Sequence, residues 1–142
     1  MPLLPIPEKE EKMKIVVDTN VIVSALMNSN GVPARIITMI LDKKLEVTFD
    51  NRIVFEYADV LSREEFGFTS EMIDKFIDHI KNNGCYVNSD LSKINFTDET
   101  DKKFYEVYKS AKAQYLITGN IKHFPNEPRI VTPRKFLDLI IT

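Results

Sequence analysis

Four acidic side chains lie at positions where ordinary packing does not favour a carboxylate. Asp18 ends an apolar run, and Glu56 lies within an apolar helical stripe. Asp98 and Asp101 flank the start of a later predicted helix. Carboxylates that are brought together repel one another and resist ionisation. A hard cation such as Mg²⁺ removes that cost, because it prefers oxygen ligands. The first question is therefore whether these acids meet.

Asp18 follows a run of branched aliphatic residues that predicts a buried strand over 14–18. A carboxylate at the carboxyl end of such a strand lies where open α/β sheets bind ligands. The alternative is that Asp18 caps the next helix, together with Thr19 and Asn20, which requires no catalysis. The residue alone does not decide between the two.

Glu56 shares its predicted helical stripe with Ile53 and Val60. An inward glutamate without a partner costs several kcal/mol or becomes protonated. The alternative to a functional role is an ion pair, for which Arg52 and Arg63 are the candidates.

Asp98 and Asp101 also have a structural interpretation. Asp98 is a good helix N-cap, and an acid at the third helical position, as Asp101 would be, suits the helix dipole. Asp101 nevertheless lies one turn before Phe104 and so begins the inward face of its helix. It can serve capping and function together.

A neutral polar motif, Thr118-Gly119-Asn120, follows another predicted strand. Thr118 and Asn120 can donate oxygen atoms to a metal ion or to its waters, although an ordinary strand-to-helix turn is the more common explanation of such a motif taken alone. His123 is isolated in a polar turn, and a lone histidine is more often structural or solvated. The lack of a companion histidine argues against a zinc site.

The composition is that of a globular protein, with 44% hydrophobic and 28% charged residues. The net charge of −2 requires any nucleic-acid binding to use a local basic face. A single cysteine, Cys85, excludes an internal disulfide and a cysteine-based metal cluster, and it fits a reducing cytoplasm. No apolar run approaches the roughly 18 residues of a membrane span. Residues 1–12, proline-broken and then charged, predict a flexible tail before a single domain over 13–142.

Strand and helix patterns alternate along this domain. We expect strands over 14–18, 45–49, 85–88, 115–118 and 129–131, and helices over 20–28, 33–42, 51–62 and 99–112. A further helix, capped by Thr69 or Ser70, carries Met72 among its inward residues, and the last begins after Thr132. Such alternation implies a three-layer α/β/α sandwich around a central, mainly parallel five-stranded sheet.

The carboxyl ends of parallel strands meet at one edge, which would bring Asp18, Thr118 and Asn120 together. Glu56 and Asp101 lie near the starts of helices that begin at that edge. The result is an oxygen-rich pocket suited to Mg²⁺ or Mn²⁺, an ion that lowers the pKa of bound water. Basic residues near these acids in sequence are candidates for RNA binding: Arg52, Lys102, Lys103 and Lys122.

On these features the chain resembles the PIN-domain family. The resemblance covers about residues 13–136 and rests on four segments in order. They are Ile15-Val16-Val17-Asp18-Thr19-Asn20, Glu56, Asp98-Glu99-Thr100-Asp101, and Tyr115-Leu116-Ile117-Thr118-Gly119-Asn120 with His123-Phe124-Pro125. The last segment is similar to that of a subgroup described as toxin components of toxin–antitoxin pairs.

The resemblance implies a divalent-metal-dependent endoribonuclease, a hydrolase that acts on phosphodiester bonds. Asp18, Glu56 and Asp101 match the three core acids of the family and would be both catalytic and metal-binding. A metal-activated water would attack the phosphate in line, leaving 5′-phosphate and 3′-hydroxyl ends.

The other site residues are also implied by the resemblance. Thr19, Asn20 and Thr118 would orient ligands or waters, and Asp98 would assist through a water. Asn120 stands where many family members have aspartate, and it can still bind a metal through its carbonyl oxygen. Because one charge is missing, we expect one firm Mg²⁺ or Mn²⁺ site and a second that is weak or depends on substrate.

The same resemblance implies an RNA substrate, an inhibitory antitoxin protein as partner and a cytoplasmic location. Apolar residues among the first helices would suit a homodimer, and no membrane association is expected. A catalytically weak or inactive PIN-fold module that binds RNA or protein remains the alternative, prompted by Asn120. A phospho-acceptor role for Asp18 is a third, although that chemistry needs a lysine where Thr118-Gly119-Asn120 lies.

Overall fold

The computed structural model describes residues 12–96 and 98–140, so the expected tail lies, apart from Lys12, outside the described residues. The strands are β1 Met13–Val17, β2 Leu45–Phe49, β3 Cys85–Tyr86, β4 Tyr115–Ile117 and β5 Ile130–Val131. The helices are α1 Thr19–Met27, α2 Val32–Leu41, α3 Asn51–Leu61, α4 Ser70–Asn83, α5 Glu99–Ser110 and α6 Pro133–Ile140. None of these helices has the length and apolar character needed to cross a bilayer.

The five strands form one parallel sheet in the order β3-β2-β1-β4-β5. The central strand β1 is fully buried at Ile15, Val16 and Val17, as expected for a parallel strand covered on both faces. Val17 pairs with Ile117, so β1 and β4 end at the same level. The predicted α/β sandwich with a central parallel sheet is confirmed, and the residues after β1 and β4 lie side by side.

The helices pack in two groups. Helices α1, α2 and α6 contact one another or strands β2 and β4, and helices α3, α4 and α5 form a second group that also contacts α1 through α3. Tyr57 of α3 is fully buried, and its ring lies 6.4 Å from the rings of both Phe76 and Phe104. This aromatic contact joins α3 to α4 and α5, and thereby positions the helices that carry Glu56 and Asp101.

Side-chain caps set the starts of several helices where the sequence predicted them. Asp50 accepts from the backbone N–H of Ile53 at 3.1 Å, and Thr69 accepts from that of Met72 at 3.2 Å. Gly84 follows α4 in extended backbone, where a Cβ would lie 2.5 Å from two carbonyl oxygens. Any larger residue would therefore force the turn from α4 into β3 to shift.

Three local predictions are wrong. Helix α5 ends at Ser110 rather than at residue 112, because Lys112 adopts φ 51°, which a right-handed helix does not accommodate. Strand β3 has two residues instead of four, since its pairing with β2 ends at Phe49 and Tyr86. Met72 is 42% exposed rather than inward, because it lies in the first turn of α4 outside its buried stripe.

Candidate active site

Asp18 and Thr118 meet at the carboxyl ends of β1 and β4. The hydroxyl of Thr118 donates to Oδ2 of Asp18 at 2.7 Å, and both residues are buried. Asp18 occupies the N-cap position of α1, yet its side chain makes no capping hydrogen bond. The capping alternative therefore does not explain this carboxylate, which is bound to the neighbouring strand instead.

The carboxyl of Asp18 is held in an environment that disfavours its charge. Burial raises its pKa to about 6, and the negative charges of Asp101 and Glu56 act in the same direction, while the hydrogen bond from Thr118 opposes them. The charges of three acids from separate segments of the chain thus act on one another. A cation placed among them would remove this unfavourable interaction.

Glu56 is bound on both of its carboxylate oxygens. The hydroxyl of Thr19 donates to Oε2, and the ammonium of Lys103 lies 2.6 Å from Oε1. The ion pair that was the alternative interpretation of Glu56 is present, but its partner is Lys103 and not Arg52 or Arg63, so the predicted partner is wrong. Arg63 pairs instead with Asp59 at 3.9 Å.

Asp101 begins the inward face of α5 with a side chain that is only 13% exposed. Its Oδ2 lies 3.2 Å from Nδ1 of His123, which follows β4. Burial and the nearby charge of Asp98 raise the pKa of Asp101, and His123 opposes that rise. Asp98 itself is exposed and caps α5 by accepting from the backbone N–H of Thr100 at 2.9 Å.

The two asparagines of the predicted site, Asn20 of α1 and Asn120, both lie at the turn after β4. Oδ1 of Asn20 accepts from the backbone N–H of Gly119 at 3.4 Å. Asn120 is exposed, its backbone N–H donates to Thr118 Oγ1 at 3.0 Å, and its side chain makes no capping hydrogen bond. Asn20 and Thr118 thus hold this turn in place, and the Asn120 amide is uncommitted to capping.

The donor chemistry of this site suits a hard divalent cation, although its carboxylates are not gathered around one point. In the described parts of the chain, no three His, Cys, Asp or Glu side chains lie close enough together to hold a metal ion. Each acid is bound to a different partner, namely Thr118, Lys103 or His123. The Lys103 ammonium already places one positive charge beside Glu56. Asp18, Glu56 and Asp101 supply the carboxylate oxygens that a divalent cation prefers, and Lys103 and His123 contact two of these acids.

The four predicted RNA-binding residues lie in different surroundings. The guanidinium of Arg52 bonds to Asp50 and to Glu106, while Lys102 lies 3.9 Å from Glu99. Lys122 lines a separate cleft of about 320 Å³ beside Phe124. Arg52 and Lys103 share a cleft of about 540 Å³ with Glu56, which we call the Glu56 cleft.

Sequence reasoning missed three residues that organise the site. Lys103 was considered only for RNA binding, and His123 was considered isolated, yet each contacts a core acid. The hydroxyl of the buried Tyr57 donates to the backbone carbonyl of Val17, the residue before Asp18. The position of Lys103 two residues after Asp101 was a signal for the first, and the His123-Phe124-Pro125 segment was a signal for the second, whereas no sequence pattern indicated the hydrogen bond of Tyr57.

Comparison with known proteins agrees with this geometry. The family described as PIN domain matches residues 14–122, and the chain belongs to that family. It is also similar to uncharacterized protein MJ1680 of Methanocaldococcus jannaschii, with 32% identity over 119 residues, which covers 80% of this chain and 76% of that protein. Proteins of the PIN-domain family are generally nucleases, which agrees with the oxygen-rich site.

Proposed function

We propose that this protein is a divalent-metal-dependent endoribonuclease. The observation that carries the proposal is the buried carboxylate of Asp18, which Thr118 holds at the common end of β1 and β4 and on which the charges of Asp101 and Glu56 act. Ordinary packing does not favour three interacting acids at the end of a sheet, and no capping bond explains the first of them. Family membership independently supports a nuclease.

The residues of the site would have separate roles in phosphodiester hydrolysis. Thr118 and Thr19 orient the carboxylates of Asp18 and Glu56 by hydrogen bonds that are already formed. Asp101 would supply the third carboxylate from α5. A bound Mg²⁺ or Mn²⁺ would activate water and offset the charge of the phosphate. Asn120 would add a neutral oxygen, for which reason we propose one firm ion site and a second that depends on substrate.

The surface beside Glu56 supports a single-stranded substrate. Phe55 precedes Glu56 in α3, is 75% exposed and lines the Glu56 cleft. It also lines an adjoining cleft of about 500 Å³ with Tyr86 and Lys81. Unpaired bases stack on exposed aromatic rings, whereas bases in a duplex are not accessible to them. We therefore place the path of the RNA along these two clefts.

Removal of the metal tests this function directly. The purified protein is expected to cleave single-stranded RNA in Mg²⁺ or Mn²⁺, and chelation is expected to abolish cleavage until metal is restored. End-labelling of the fragments should detect 5′-phosphate ends. Double-stranded RNA of the same sequence, incubated with the protein and the same metal, is the control. Tight RNA binding without metal-dependent cleavage of any RNA would instead favour the alternative, a PIN-fold binding module.

The proposed cellular role is that of a toxin. The Thr118-Gly119-Asn120 and His123-Phe124-Pro125 segments are similar to those of toxin components, so we propose a cytoplasmic toxin with an antitoxin protein as partner. Met27 and Leu41, which are 60% and 46% exposed on α1 and α2, offer apolar surface for a homodimer. A small adjacent gene whose product has a DNA-binding sequence pattern would support the proposal of an antitoxin partner.

A further inference from the structure

Lys103 makes an unusually enclosed ion pair for a lysine near the surface. Its side chain is 13% exposed and that of Glu56 is 22% exposed, with 2.6 Å between Nζ and Oε1. By contrast, the Lys75–Glu71 pair on α4 joins side chains that are 77% and 78% exposed. Exposed pairs contribute little, because water and salt screen them. The Lys103–Glu56 pair is screened much less and holds the two helices α3 and α5 together.

The position of the Lys103 ammonium is set by its own helix. Nζ also donates to the backbone carbonyl of Thr100, in the first turn of α5, and lies 5.1 Å from the centroid of the Phe104 ring. These contacts hold the positive charge against Glu56 at the wall of the Glu56 cleft, which both residues line. Thr19 occupies the other oxygen of the same carboxylate. No oxygen of Glu56 is therefore without a partner.

We propose that Lys103 is an internal counter-ion that a divalent cation must displace from Glu56, so that this lysine sets the affinity of the site for metal. The inference rests on the proposed function, because it takes Glu56 as a metal ligand. The exchange is balanced: the cation loses water and gains the Glu56 carboxylate, and the released ammonium gains water. Lys103 thereby keeps the acid neutralised in the metal-free protein and weakens metal binding by competition.

Replacement of Lys103 by an uncharged residue should strengthen metal binding. In titration calorimetry with Mn²⁺ alone, Lys103→Met is expected to bind about tenfold more tightly than the wild type, because the cation no longer competes with the ammonium. Lys103→Gln should behave in the same way, and Lys103→Arg, which keeps the positive charge, should show no gain. Loss of packing alone would lower the affinity rather than raise it.

Lys109→Met is the matched control. It removes a lysine from the same helix, changes the net charge by the same amount and breaks an ion pair with Glu127 at 3.1 Å rather than one with Glu56. Its Mn²⁺ affinity should equal that of the wild type, which would exclude a general effect of net charge.

The outcomes separate this inference from the function on which it rests. If the wild type binds Mn²⁺, Asp18→Asn does not, and Lys103→Met binds no more tightly than the wild type, the counter-ion role is overturned while the metal-dependent function stands. If Lys103→Met and Lys109→Met gain equally, the role of Lys103 is also overturned. If neither the wild type nor Lys103→Met binds Mn²⁺, both proposals fail.

Discussion

Asp18→Asn is expected to lower RNA cleavage by about a thousand-fold while leaving the protein folded. The substitution keeps the size of the side chain and an oxygen that can accept from Thr118, but it removes the charge from the most buried acid of the site. Removal of one preorganised electrostatic group from an active site typically costs about 10²–10³ in rate. Single-turnover cleavage of single-stranded RNA in saturating Mn²⁺ measures the effect.

The same substitution should make the metal-free protein more stable. The pKa of Asp18 is raised from 3.8 to about 6 in the folded protein, first by burial. The folded state therefore binds the proton more tightly than the unfolded state, and this stabilisation is lost as the pH rises through about 6. At pH 7.5 the charged carboxylate costs at most about 3 kcal/mol. Asp18→Asn is expected to recover much of that amount at pH 7.5 and almost none below pH 4.

Urea unfolding in the presence of a chelator, at several pH values, tests this dependence. Asp78→Asn, which neutralises an exposed acid on α4, is the control and should change the free energy of unfolding by less than about 0.5 kcal/mol. An Asp18→Asn variant that cleaves RNA as fast as the wild type would contradict the role of Asp18. One that is destabilised at pH 7.5 would contradict the electrostatic description of its environment.

Arg52→Met is expected to destabilise the protein by about 2–4 kcal/mol. The guanidinium of Arg52 lies 2.7 Å from Asp50 and 2.8 Å from Glu106, whose side chain is only 2% exposed. Removal of one partner of a buried pair leaves the other charge uncompensated, which is strongly destabilising. The expected destabilisation is smaller than that of a fully buried pair for two reasons. Arg52 is itself 42% exposed, and the backbone of Ser92 still donates to Glu106.

Two further variants sharpen this prediction. Arg63→Met breaks an exposed pair with Asp59 at 3.9 Å, just beyond the end of the same helix, and should cost about 0.5 kcal/mol or less. Adding Glu106→Gln to Arg52→Met should restore part of the stability, because it removes the buried unpaired charge. If Arg52→Met and Arg63→Met are equally mild in urea unfolding, the network does not support the packing of α3 against α5.

The fold was predictable because alternating strand and helix patterns require parallel strands that bury both faces. The fully buried Ile15, Val16 and Val17 follow from that rule, as does the meeting of Asp18 with Thr118. Segment ends were less predictable. The helix pattern of α5 runs to residue 112, but the left-handed backbone of Lys112 depends on the turn that leads into β4.

The partners of the acids were not predictable from their own segments. Lys103 reaches Glu56 because α5 packs against α3 at a particular rotation, which depends on contacts such as that between Tyr57 and Phe104. Helix α5 is buried over most of its circumference. Its sequence therefore has no single apolar stripe that would identify Glu106 as an inward residue. Local periodicity indicates which face of a helix is buried, but it does not indicate which residue lies opposite.

We propose that Asp18, Glu56 and Asp101 bind one divalent ion together. A crystal soaked in Mn²⁺, with data collected to locate anomalous scattering, tests this most directly. We expect an anomalous peak in contact with all three carboxylates and Lys103 withdrawn from Glu56. The claim is contradicted if no manganese binds there and the three acids remain bound to Thr118, Lys103 and His123.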